Sequence, residues 1–196
     1  MDKKQIILAS SSPRRIKMLK DNGIDPVIIS PDIDENIPEG LDLRQSVMFL
    51  ALKKALYAEK LFLETNNNLD KSNSIIIAAD TIVYCDKIIG KPETKEEAFE
   101  ILSFLRNKSH WVATGVAILK AGSNVRRAFY ELTEVFFKDY KDEDIIEYIN
   151  TSEPYDKAGG YAIQGAWGKY VDHIKGSLDN VIGFPWSKIE EELKKI

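Results

Sequence analysis

The chain has 196 residues, of which 44% are hydrophobic and 30% charged, with a formal net charge of −4. That length suits one well-packed domain, spanning 1–196, better than two independent ones. The acidic balance disfavours a nucleic-acid partner, so any polyanion must meet a local basic pocket.

A lone cysteine, Cys85, excludes an internal disulfide framework and fits a reducing compartment. The apolar run Ile6–Ala9 is too short for a signal peptide, and no run approaches a membrane span. The expectation is a cytoplasmic protein with no membrane partner. In chain order, Gln5–Ala9 reads as a short buried strand. Ser12 as N-cap, Pro13 at the first helical position and Gly23 past the end frame a helix. Arg14 and Arg15 fall in its first turn, where the macrodipole is already positive and each misplacement costs about 0.3–1 kcal/mol. A bound anion offsets that cost. Serine hydroxyls, helix N–H groups and two guanidiniums then share one phosphate-sized space, a reading favoured over two solvated arginines.

Val27–Ser30 reads as a second strand, followed by a loop carrying Asp32, Asp34 and Glu35. Those carboxylates are either a solvated acidic loop or ligands for the divalent metal that accompanies a polyphosphate; spacing does not decide. A long helix is expected over Leu43–Leu63, with Leu43, Val47, Leu50, Lys54 and Tyr57 on one stripe and Phe49, Leu52 and Leu56 widening it. Lys53 and Lys54 lie on or beside that stripe, where they either snorkel or need a partner. Thr65–Asn73 reads as a polar connection.

The run Ser74–Tyr84 predicts a strand buried on both faces, and Asp80 lies within it. An ionised carboxylate there is costly unless a cation, metal or donor meets it. Asp80 is either a catalytic or metal-binding residue at a strand exit, or a turn residue that ends the strand. A hairpin turn at Cys85-Asp86-Lys87 can bring Lys91 back near the same place. Thr94–Glu97 opens a helix through Leu105 with a capping box. His110–Lys120 and Val125–Tyr140 predict a hairpin long enough to form its own layer or lobe. Within it, Thr114-Gly115 lets another backbone pass close, and His110 is expected to cap a turn rather than bind metal. A short helix follows over Asp142–Asn150. The stretch Ser152–Gly165 then combines charge, three glycines and Gln164, whose amide can read a base edge. Tyr170–Ile174 reads as a strand and the terminus as an amphipathic helix through Leu193. The alternation indicates α/β architecture around a mixed sheet.

Six segments together resemble the Maf family, or septum-formation-inhibitor-like proteins: Leu8–Arg15, Asp32–Glu35, Ala51–Ala55, Ala79–Thr81, Gly90–Pro92 and Glu153–Gly165. The resemblance implies a Maf/ITPase-like fold: a mixed twisted sheet flanked by helices, the long hairpin forming a second lobe, and a cleft between the lobes. It implies hydrolysis of the α–β phosphoanhydride of a nucleoside triphosphate to monophosphate and pyrophosphate, with Mg²⁺ or Mn²⁺. Asp80 would be the general base and Glu35 the second carboxylate, both facing the metal. Ser10, Arg15, Lys54 and Lys91 would hold the triphosphate. Arg14, Thr81 and Gln164 match the subfamily acting on dTTP and UTP, modified pyrimidines included, and not the sister group acting on 7-methyl-GTP. A homodimer is also implied. The family's name keeps open a non-catalytic regulator of septum formation that binds nucleotide or nucleic acid. Departures are Ala79 for a glycine, Arg106-Asn107-Lys108 for a leucine-serine-glycine-type turn, and Gly160 for an alanine.

Overall fold

A computed structural model of the chain describes residues 4–65 and 73–196. In order its elements are β1 (Gln5–Ala9), α1 (Pro13–Asp21), β2 (Val27–Ile28), α2 (Leu43–Thr65), β3 (Ser74–Cys85), β4 (Lys87–Ile89) and α3 (Lys95–Leu105). There follow β5 (Ser109–Lys120), β6 (Arg126–Phe137), α4 (Asp142–Ile149), β7 (Val171–Lys175), α5 (Leu178–Ile182) and α6 (Trp186–Leu193). Among the described residues seven strands form one sheet in the order β2-β1-β3-β5-β6-β7, with β4 paired to β3. Pairing is parallel for β1 with β2 and β3, and antiparallel for β3 with β4 and β6 with β7, so the sheet is mixed as expected. No helix among the described residues is long and apolar enough to cross a membrane.

The chain divides into two compact units, one taking residues up to Asp80 with Thr114–Glu131 and Gly183–Ile196, the other Thr81–Ala113 and Leu132–Ile182. In the first unit the period of two along β1 and β3 sorts side chains onto two faces. Ile7, Ala9, Ile76 and Ala78 pack with Ala51, Ala55, Ala58 and Phe62 of α2. Ile6, Leu8, Ile75, Ile77 and Ala79 pack with Leu19, Phe184 and Ile189. The alanine stripe of α2 is what lets this helix lie close to the sheet. Gly115 completes the fit: a Cβ there would stand 2.2 Å from the Val47 carbonyl, as the sequence Thr114-Gly115 anticipated.

Several expectations need correction. The buried face of α2 rests on Val47, Leu50, Phe62 and the alanines, while Leu56 is exposed, because residues three and four apart from Ala51 carry the helix toward the sheet. β2 stops at Ile28, flanked by Pro26 and Pro31, which have no N–H for a ladder. The terminal helix through Leu193 forms as expected from Trp186, and a short helix not expected, α5, precedes it, the two separated where Gly183 takes φ 97° and Pro185 follows. Ser12 makes no side-chain cap; its own N–H instead donates to Ser10 Oγ at 3.2 Å. Gly23 does close α1, with the Gly23 and Ile24 N–H groups donating to the Lys20 and Leu19 carbonyls. The β5–β6 hairpin lies within the sheet and contributes to both units. The Thr65–Asn73 connection falls largely outside the described residues.

The second unit is built around Val83, Leu102, Val135, Phe137, Tyr140, Tyr148, Tyr161 and Trp167. His110 belongs to this core and caps no turn. Only 1% exposed, it stands edge-on to Phe137 and places Nε2 2.7 Å from Tyr161 Oη. Nδ1 is buried without a hydrogen-bond partner among the described residues. Burial accordingly pushes its pKa from 6.5 down to about 4. The unfolded chain therefore takes up this proton first as pH falls. Stability should be level above the unfolded pKa and decline by roughly 3 kcal/mol between the two values. Urea unfolding at pH 7 and 4.5 measures this, and His110→Phe should flatten that part of the slope; parallel pH profiles for mutant and parent would contradict it.

Candidate active site

Three features of the sequence place Asp80. The even-numbered residues of β3 face α2, so after Ile76 and Ala78 the carboxylate of Asp80 is directed to the same side. The parallel register sets Ala9 opposite Ala78, which brings the Ser10–Ser12 turn beside the end of the apolar run. On α2, Lys54 lies between Ala51, Ala55 and Ala58, on the stripe that meets the sheet. A buried acid and a buried base are thus set on facing elements by their two periodicities.

Lys54 Nζ stands 2.5 Å from Asp80 Oδ1 and 2.7 Å from Glu35 Oε1. The Lys54 and Asp80 side chains are 12% and 9% exposed, whereas Glu35, on the loop after β2, is about half exposed. One ammonium therefore bridges a buried and an open carboxylate. The loop that carries Glu35 is itself fastened: Lys53 Nζ donates to the Asp34 carbonyl, and Asp34 accepts from the Asn36 N–H and side-chain amide at 3.0 and 2.9 Å. Lys53 was legible only as half of a lysine pair. Asp32 is exposed, and Asp34 serves the turn.

Arg15 joins the ends of three segments. Its Nε donates to the Gly183 carbonyl at 2.9 Å, and Nη1 to the Ala79 carbonyl at 2.7 Å and Ser10 Oγ at 3.2 Å. A guanidinium read from the sequence as an anion ligand also fixes the backbone one residue before Asp80. Desolvation lowers its pKa to about 10, against the pull of Asp80, with Arg14 adding to the depression and Glu35 opposing it. It remains a cation at neutral pH. Nothing in the sequence marks the Gly183 carbonyl as its partner, since a backbone acceptor leaves no residue signature.

Ser10, Arg15, Glu35, Lys54 and Asp80 are therefore brought together, with Arg14 close enough to act on Arg15 electrostatically. Lys91, Thr81 and Gln164 belong to the second unit. There Lys91 and Gln164 are exposed and Thr81 is half-buried. The loop ahead of Lys91 is held by the Gly159 N–H on the Gly90 carbonyl at 3.0 Å. Gly159 and Gly160 have φ of 76° and 68°, so Gly160 occupies a left-handed position that an alanine would strain. Asn107 likewise takes φ 53°, which shows how the departing Arg106-Asn107-Lys108 turn closes. Among the described residues no three His, Cys, Asp or Glu side chains stand together to hold a metal.

Chemically, the first-unit cluster offers two carboxylates and two cations within reach of a helix start. Removing one member of its buried pair should be costly. Lys54→Ala is expected to lower the unfolding free energy by about 3 kcal/mol, because it strands the Asp80 carboxylate. Adding Asp80→Asn should recover at least half of that loss in urea titrations. A single mutant as stable as the parent would contradict the pairing.

A family model described as Maf-like protein matches residues 5–196. A protein of Caldicellulosiruptor bescii named dTTP/UTP pyrophosphatase is 43% identical over 98% of this chain and 95% of its own length. Proteins of the same name from Geobacillus sp. (strain WCH70) and Desulforamulus reducens are 43% and 41% identical, covering 98% and 96% of this chain and 98% and 95% of their own. The six segments that carry the resemblance, five of whose charged and hydroxyl side chains the fold gathers where β1 ends beside Asp80 of β3, are thus part of a match along almost the whole length, and the chain belongs to the Maf-like family.

Proposed function

We infer that the protein is a nucleoside triphosphate pyrophosphatase acting on dTTP and UTP. The observation that carries this reading is Lys54 held between Asp80 and Glu35, with Arg15 bonded to Ser10 and to the Ala79 carbonyl beside them. Its relatives' names point the same way. Phosphoryl transfer needs charge neutralisation and an aligned nucleophile more than covalent participation. Arg15, Lys54 and Ser10, with Lys91, supply donors to the triphosphate. Asp80 accepts a proton from water as its oxygen attacks the α-phosphorus. The bond from that phosphorus to the bridging oxygen breaks, and pyrophosphate leaves with the electron pair. Glu35, the more open carboxylate, shares the orientation of that water.

Asp80 and Glu35 are also the residues that would hold a divalent cation. Two carboxylates completed by phosphate oxygens and water are the donor set such an ion uses when it arrives with a polyphosphate. When bound, Mg²⁺ or Mn²⁺ would neutralise charge developing on the phosphates. Lys54 occupies the position between the two acids; were a divalent cation held by Asp80 and Glu35, the Lys54 ammonium beside them would serve as a donor to phosphate. Base choice falls to Arg14, Thr81 and Gln164, whose identities match the pyrimidine pattern and disfavour 7-methyl-GTP. A homodimer and a cytoplasmic location complete the proposal.

Pyrophosphate release from dTTP, UTP and 7-methyl-GTP, with Mg²⁺ or Mn²⁺, tests it. The expected result is turnover of the two pyrimidines above the methylated purine, and a fall of about 10²–10⁴-fold in Asp80→Asn. Absence of pyrophosphate release would overturn the assignment, and an Asp80→Asn enzyme with parental turnover would remove that residue from the proton-accepting role.

A further inference from the structure

Gln164 sits at a turn in the second unit, closed by the Gly165 N–H on the Ala162 carbonyl at 3.1 Å. The chain just after that turn is tied to an acid, and the acid in turn to a phenol. Tyr148 of α4 donates its hydroxyl proton to Glu153 Oε1 at 3.1 Å. Glu153 Oε2 accepts the Ala166 N–H at 3.3 Å. Burial, and then the neighbouring Glu153 carboxylate, raise the Tyr148 pKa, which keeps the phenol a donor.

The glycine at 165 follows from this arrangement. A Cβ there would stand 1.7 Å from Glu153 Oε1, so a side chain would expel the carboxylate. On the far side, a Cβ at Gly168 would stand 2.2 Å from the Ile163 carbonyl oxygen, so the chain closes on the turn there too. Glu153 is itself fixed, since Lys157 Nζ donates to its carbonyl at 2.6 Å and ion-pairs with Asp156. The side chain of Gln164 is exposed, while the backbone that follows it, at Gly165 and Ala166, is packed on and bonded to a half-buried acid. An amide that reads a base edge discriminates only if its backbone is held, because a mobile one adapts to either donor pattern.

We propose that Glu153, acting with Tyr148, is a positioning residue that fixes the Gln164 turn and thereby sets nucleobase selectivity. This rests on the reading of Gln164 as a base-facing residue. It separates two jobs within the segment Glu153–Gly165: the amide touches the base, and the acid at its start determines where the amide stands.

The test is kcat/KM for dTTP and dCTP in the parent, Glu153→Gln, Tyr148→Phe, Gln164→Ala and the Glu153→Gln/Gln164→Ala double variant. Glu153→Gln keeps the shape but cannot accept from both partners. It and Tyr148→Phe should each lower the dTTP-to-dCTP ratio by about tenfold, the equivalent of one hydrogen bond to a charged group. The change should lie in KM, with kcat within about threefold of the parent. The double variant should discriminate no worse than Gln164→Ala alone. An equal loss on both nucleotides with the ratio intact, or full additivity in the double variant, overturns the proposal. A parental ratio in Gln164→Ala would instead overturn the reading on which it rests. Should Glu153→Gln fail to fold, Tyr148→Phe, which deletes a single oxygen, decides the matter alone.

Discussion

A carboxylate buried within a largely apolar strand dictates much of what surrounds it. Withdrawing Asp80 and Lys54 from water costs several kcal/mol per ion before their attraction is counted. The 2.5 Å approach of Lys54 is the compensation, and Glu35 supplies a second acceptor at 2.7 Å. That geometry makes demands on the scaffold. A lysine can reach the strand only from a helix that lies close, which needs Ala51, Ala55 and Ala58 on the helix and Gly115 beneath Val47. A core of bulkier residues in those positions would stabilise more by burial and would hold the ammonium too far away.

Arg15 fits the same logic at Ala79, the residue before Asp80. Its bonds to the Ala79 and Gly183 carbonyls draw β3 and the start of the last segment onto α1. The charge that looks misplaced at a helix N-terminus is therefore offset partly by protein carbonyls. A site whose cations are already ordered needs little reorganisation when a polyanion arrives. A formal net charge of −4 is compatible with such a site, because only a few basic groups, locally arranged, are required.

Much of this was written in the sequence, and the parts that were not share a cause. The burial of β3 and the need of Asp80 for a partner followed from composition along one strand. The turn at Cys85-Asp86-Lys87, the Thr94 cap and the close approach at Gly115 followed from residue types with narrow conformational preferences. The expected stripe of α2 is right at Val47, Leu50 and Lys54 and wrong at Leu56, which is exposed, because alanines rather than large apolar residues dominate where a helix must lie close. His110 was misjudged because a polar residue at a strand start looks like a cap until the aromatic packing around Phe137 and Tyr161 is known. The roles of the Gly183 carbonyl and of Glu153 depend on backbone groups distant in sequence, which no motif spells out.

The central claim is that the acids and cations gathered where β1 ends beside Asp80 of β3 are the place where a triphosphate is held and cut. A crystal structure with a dTTP analogue whose α–β bridge is an imido group, grown with Mn²⁺, tests this most directly. The account predicts phosphate oxygens on Ser10, Arg15 and Lys54, with the α-phosphorus facing Asp80. A triphosphate bound elsewhere, with the Lys54 bridge between Asp80 and Glu35 undisturbed, would contradict it.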